Sequence, residues 1–171
     1  MLPVKFKPHG GLRKTHRQFL ELEELHDRCV ECFIVEMCRR GCEVEKYGLE
    51  RRFSKKWYFY DYRPDFKVRC KHFGKSFLVD VKSKRVKYVS SLREVKHVML
   101  NVRHVEGYLK AGKEAKLEVW VFTCIYDDMG YLLGYVWIPV SKLKWGKFRK
   151  AKAWDGNLVY LVPTRYAGFP L

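Results

Sequence analysis

At 171 residues with 47% hydrophobic side chains, the chain is long enough for one domain with a substantial core. Its net charge of +16 points to nucleic acid or another polyanion, with a basic structural protein of a ribonucleoprotein or chromatin as the bland alternative. No run is long and apolar enough to cross a bilayer, no basic amphipathic helix suits a lipid surface, and the N-terminal stretch lacks the apolar segment of a secretory signal, so a cytoplasmic, intracellular protein without membrane contact is expected.

Residues 1–15 read as a basic arm whose Lys and Arg could reach phosphate, or as a loose terminus. Residues 16–140 form the main domain, and 141–171 a basic, aromatic extension packed on it. A helix is expected over 16–40. Leu22, Cys29, Val30, Phe33, Ile34 and Met37 recur near a 3.6 period, Gly41 closes it, and Arg39 and Arg40 suit the last turn. Glu23, Asp27 and Glu31 lie on or beside that apolar stripe; a solvated acidic flank is the alternative to a functional role. Cys29, Cys32, Cys38 and Cys42 cluster here. Without a second Cys-x-x-Cys pair they read as small buried hydrophobes rather than as a metal site or disulfide partners.

A short strand at 42–47 and a charged turn at 48–56 follow, then an aromatic strand at 57–62 that feeds Pro64-Asp65. From Asp65 the chain alternates. Asp65, Lys67 and Arg69 take one face, and Phe66, Val68 and Cys70 the other. Phe73-Gly74-Lys75 turns it. The return strand puts Phe77, Val79 and Val81 on one face and Leu78, Asp80 and Lys82 on the other. Hairpin pairing then brings Asp65 near Asp80, with Lys82 two residues further on. Two adjacent carboxylates repel. A hard divalent cation relieves that repulsion, since Mg²⁺ takes one or two carboxylates plus water and phosphate oxygens. A neighbouring lysine can orient water or steady charge on phosphorus.

Beyond Lys82, the bases Lys84, Arg85 and Lys87 could grip a phosphate backbone, or form a solvated loop. Ser90 or Ser91 caps an expected helix to about residue 111, with Leu92, Val95, Met99, Val102 and Leu109 on its apolar side and Gly112 as its stop. His97 and His104 would share a face of it as packing or surface residues. Residues 117–126 are apolar on both faces and read as a central strand. Asp127-Asp128-Met129-Gly130 is a hairpin turn in preference to a rival metal site. In 141–154, Lys144, Lys147, Arg149 and Lys150 interleave with Trp145, Phe148 and Trp154. That cluster suits backbone contact and base stacking; aromatic anchoring of a charged segment is the alternative. Residues 158–162 form an edge strand. Gln18, Asn101 and Asn157 are the only side-chain amides, a composition that suits a thermophile. Gly74-Lys75-Ser76 is not a P-loop, because position 69 is Arg69 where that loop needs glycine. No dinucleotide fingerprint occurs, and no small-molecule cofactor is expected.

Pro64-Asp65 followed by Asp80-x-Lys82 resembles the PD-(D/E)XK nuclease signature of restriction endonucleases, archaeal Holliday junction resolvases and some transposase endonuclease subunits, over roughly residues 17–126. The resemblance implies an α/β, restriction-endonuclease-like fold with a mixed central sheet flanked by α-helices. It implies an endonuclease that hydrolyses DNA phosphodiester bonds with Mg²⁺ or Mn²⁺. Asp65, Asp80, the Val81 carbonyl and a first-helix acid would hold the metal, and Lys82 would position or activate water. Glu31 is the first choice for that acid, because apolar Ile34 and Met37 follow it three and six positions on; Asp27 is second and Glu23 third. A homodimer is implied too. Two readings stay open: a non-cleaving nucleic-acid-binding module on a degenerate nuclease fold, and RNA as substrate.

Overall fold

The structure is a computed structural model that describes residues 16–48, 62–153 and 155–171, with side chains from residue 20. The N-terminal arm, nearly all of the charged turn and aromatic strand before Tyr62, and Trp154 lie outside the described residues. Helix α1 spans His16–Arg39. It buries Leu25, Cys29, Phe33 and Met37, spaced four apart on one face. The strands are β1 (Cys42–Lys46), β2 (Phe66–Cys70), β3 (Lys75–Arg85), β4 (His97–Asn101), β5 (Glu118–Tyr126), β6 (Leu132–Ile138), β7 (Lys150–Lys152) and β8 (Leu158–Pro163). Helix α2 (Val102–Ala115) lies between β4 and β5.

A five-stranded sheet runs β1-β2-β3-β5-β6. β3 and β5 are parallel and the other neighbours antiparallel, so the sheet is mixed, as expected. Its two faces carry separate cores. Phe77, Val79 and Val81 of β3 join Phe122 and Cys124 of β5 beneath Phe33 and Met37 of α1. Leu78, Val119 and Val121 pack on the opposite face against Val105, Tyr108 and Ala111 of α2. Burial on both faces explains why β5 reads as a continuous apolar run. Each fully buried side chain here contributes roughly 1.5–3 kcal/mol.

Three sequence expectations fail. The segment expected as one helix from Ser90 splits into a single 3-10 turn (Leu92–Glu94), strand β4 and helix α2. Val98 and Leu100 are buried while His97 and Met99 are exposed, so period 2 governs this stretch. His97 and His104 therefore share no helix face. Asn101, whose side chain accepts from the Arg103 N–H at 2.9 Å, starts the helix instead of a serine. Gly112 does not end α2. It is buried inside the helix, and a Cβ there would stand 2.8 Å from Val119. Finally, β8 is not an edge strand but the middle of a three-stranded sheet, β4-β8-β7. That sheet joins the C-terminal segment to residues 97–101 of the main domain.

Cysteine pairing also differs from expectation. Cys42 and Cys70 form a disulfide between β1 and β2, where the register sets them opposite one another. Of the four clustered cysteines only Cys29 is a buried free thiol; Cys32 is half-buried and Cys38 exposed, so the hydrophobe reading holds for Cys29 alone. Among the described residues, no group of three or more His, Cys, Asp or Glu side chains is arranged to hold a metal ion. None of the described helices is long and apolar enough to cross a membrane.

Candidate active site

The Pro64-Asp65 corner is held by backbone. The Asp65 carbonyl accepts from Tyr47 N–H at 2.8 Å and from Gly48 N–H at 3.2 Å. Two glycines let the chain before it pass. A Cβ on Gly48 would lie 2.7 Å from the Pro64 carbonyl oxygen, and one on Gly107 of α2 only 2.2 Å from that of Tyr62. Neither position admits a side chain without moving the corner. β2 then pairs with β3, beginning at Phe66 opposite Val79. One step beyond that pair, the same register faces Asp65 with Asp80.

The ladder stops there, and the side chain of Asp65 takes over. Its Oδ2 accepts the Val81 N–H at 2.9 Å. A strand residue directs its N–H and C=O to the same edge, so the Val81 carbonyl is aimed into the same notch. Asp80 is buried, 3% exposed, on the α2 face of β3. Its Oδ2 accepts the Tyr108 hydroxyl at 2.5 Å and stands 3.0 Å from Lys82 Nζ. Burial, and after it the Asp80 charge, raises the Asp65 carboxyl to about 7, against the opposing pull of Lys82 and the Val81 N–H. Asp65, Asp80 and Lys82 thus converge at the edge where β2 gives out.

Sequence reasoning missed two neighbours. Tyr108 comes from α2, and a buried tyrosine on an apolar stripe needs a polar partner, which was the available signal. A ring stack extends from it, with Tyr62 and His104 at 3.9 Å between centroids and His104 and Tyr108 at 6.3 Å. Thr123 is the other. It lies opposite Lys82 in the parallel β3–β5 register. Its hydroxyl is buried and has no hydrogen-bond partner. Nothing local in the sequence marks it, because its position beside Lys82 depends on strand pairing.

The first helix supplies no acid at Glu31. Glu31 and Asp27 are exposed, on the side of α1 away from Leu25, Cys29 and Phe33. Glu23 is half-buried and lies on the flank shared with His26 and Val30. The helix phase explains the difference: the buried stripe runs through 25, 29, 33 and 37 and leaves Ile34 36% exposed.

The expected phosphate-binding bases divide. Lys87, Lys144, Lys147, Arg149 and Lys150 are exposed. Lys84 and Arg85 belong to β3 rather than to a loop and are half-buried. Burial lowers the Lys84 ammonium against the pull of Asp155, and Arg85 turns toward Glu21 of α1 at 3.8 Å. Trp145 is not presented for stacking. It is buried against Tyr160 and Phe148, and its indole N–H donates to the Val140 carbonyl at 2.9 Å. The aromatics here anchor the basic segment. The Asp127 turn is a turn, since Asp127 Oδ1 accepts from the N–H groups of Met129 and Tyr131.

Fold and site together define a mixed α/β domain with a carboxylate–carboxylate–lysine cluster at the sheet edge. No family model and no curated protein matches the chain. Among solved structures it is similar to a Holliday junction resolvase from Archaeoglobus fulgidus, an archaeal hyperthermophile, at 14% identity over 78% of this chain and 81% of that one, with a TM-score of 0.45.

Proposed function

We propose that the chain is a metal-dependent DNA endonuclease that hydrolyses phosphodiester bonds through a PD-(D/E)XK site. The observation that carries this reading is the convergence of Asp65, Asp80 and Lys82 where β2 ends. The donor set suits a hard cation: two crowded carboxylates, one held near neutrality by burial and its neighbour, with a strand carbonyl directed beside them. Asp65, Asp80 and the Val81 carbonyl would hold Mg²⁺ or Mn²⁺. Once bound, such an ion neutralises phosphate charge and lowers the pKa of coordinated water.

The chain's own groups do the rest. Lys82 projects from the strand beside Asp80, with its side chain 35% exposed, so its ammonium can reach both the notch and an incoming phosphate. There it holds water for attack or steadies charge on the phosphate oxygens. Tyr108 fixes the Asp80 carboxylate from behind. The exposed bases hold the nucleic-acid backbone, and affinity falls steeply with salt. A homodimer accompanies this reading, and equilibrium sedimentation showing a monomer would remove that part of it.

One observation favours a second reading, a nucleic-acid-binding module that does not cleave. Glu31 faces away, and no third acid joins Asp65 and Asp80 among the described residues. Both readings entail binding, and only the enzyme entails hydrolysis. The discriminating experiment incubates linear, flapped and four-way DNA, and matched RNA, with Mg²⁺, Mn²⁺ or chelator. Metal-dependent cleavage of DNA supports the enzyme, and cleavage of RNA alone reassigns the substrate. Tight binding with no cleavage under any metal leaves the module.

A further inference from the structure

Tyr88 follows the end of β3 and is 100% exposed. Its backbone is left-handed, with φ 59°. Glycine, asparagine and aspartate enter that region readily, and a bulky aromatic does so at a conformational penalty. The other described non-glycine residue with positive φ, Lys116, closes helix α2, which accounts for its conformation. Tyr88 closes no helix.

The tip that carries it is anchored on both sides. Upstream, the Val86 N–H donates to the Tyr126 carbonyl at 2.8 Å, extending the β3–β5 pairing past Arg85. Downstream, the N–H and hydroxyl of Ser90 donate to the two carboxylate oxygens of Glu94, at 3.2 and 2.9 Å. Residues 87–89 therefore span a fixed gap, and the ring at its apex points into solvent. The left-handed backbone opposes this arrangement, and the fully exposed ring makes no packing contact that would offset it, which suits a group whose partner arrives with a ligand.

Position and charge indicate which partner. Lys87, next to the ring, is exposed, and the chain carries +16. Tyr88 lies six positions beyond Lys82, at most about 20 Å along an extended chain. That is less than one duplex turn of about 34 Å. We infer that Tyr88 is a stacking platform for an unpaired base of nucleic acid held at the sheet edge, which directs the site to strands with an unstacked base. The inference rests on the nucleic-acid part of the proposed function and not on hydrolysis.

The test is binding in EDTA, where cleavage plays no part. Two duplexes are compared, one with a bulged 2-aminopurine and one fully paired. Wild type binds the bulged duplex more tightly and quenches its fluorescence. Tyr88→Ala loses about fivefold or more of the affinity for the bulged duplex, the low end of one base–aromatic stack, and loses the quench. Tyr88→Phe keeps both, because stacking uses the ring. Tyr88→Gly has a thermal midpoint at or above that of wild type, since glycine relieves the left-handed backbone. Equal binding of the bulged duplex by wild type and Tyr88→Ala overturns the inference, as does loss of the preference in Tyr88→Phe. A Tyr88→Gly midpoint well below wild type assigns the ring to folding and overturns it too. If wild type binds neither duplex, the inference falls together with the nucleic-acid reading; absence of cleavage in Mg²⁺ with the preference intact removes only the enzyme.

Discussion

The hydroxyl of Tyr108 donates to Oδ2 of Asp80 at 2.5 Å, joining the second helix to the acid at the centre of the site. Both groups are buried, so the bond is shielded from competing water. Tyr108→Phe leaves the packing of the ring in place and removes the donor. It should lower stability by about 1–3 kcal/mol in chemical denaturation, the range for a hydrogen bond to a charged group and its unsatisfied remainder. Cleavage should fall roughly tenfold or more but persist, since the tyrosine orients a metal-holding group rather than touching phosphate.

Asp65 gives the metal-free protein a pH-dependent stability. Burial and the Asp80 charge raise its carboxyl to about 7 in the folded chain. Unfolded, it titrates near its ordinary value of about 4. Between those values the folded state retains a proton that the unfolded state releases. This contribution is therefore full below about pH 4 and is lost as pH rises through about 7, by at most about 4 kcal/mol. Denaturation in chelator at pH 5 and pH 8 reads the change. Asp65→Asn should remove most of the difference, and Mg²⁺ should restore stability chiefly at pH 8, where the carboxylate is charged.

Thr123 carries a buried hydroxyl without a partner, opposite Lys82 in the sheet. Thr123→Val replaces that hydroxyl with a methyl of similar size. An unsatisfied buried polar group is worth about 1–3 kcal/mol to remove. The variant should be as stable as wild type or more so by thermal melting. A clear loss of stability would mean that the hydroxyl has a partner in solution.

The exposed bases of the C-terminal segment make a separate prediction. Each phosphate contact contributes about 0.9 to the slope of log affinity against log salt on duplex DNA. Replacing Lys147 and Arg149 together by alanine should reduce that slope by about 2 if both reach phosphate. Trp145→Ala should instead lower the melting temperature, because its indole is buried against Tyr160.

The hairpin and its three polar groups were legible in the sequence for local reasons. Alternation fixed the faces of residues 65–70 and 77–82, and the short turn between them fixed the register that sets Asp65 against Asp80. What was illegible depends on contacts distant in the chain. Tyr108 and Thr123 enter the site through placement of α2 and the parallel pairing of β5 on β3. The helix expected from Ser90 failed because Val95, Met99 and Val102 fit a helical spacing, while the alternation of Val98 and Leu100 belongs to a strand paired with β8, about sixty residues away. Trp145 failed because aromatics among bases look alike whether they face DNA or the core. Glu31 failed on helix phase, where a shift of one or two residues turns a side chain from the sheet to solvent.

The most direct measurement is nicking of supercoiled DNA in Mg²⁺ by wild type and by Asp80→Ala, with binding of the same DNA measured in parallel. The account predicts metal-dependent nicking by wild type, none by Asp80→Ala, and comparable binding by both. Nicking that survives the substitution, or that proceeds equally in chelator, would contradict it.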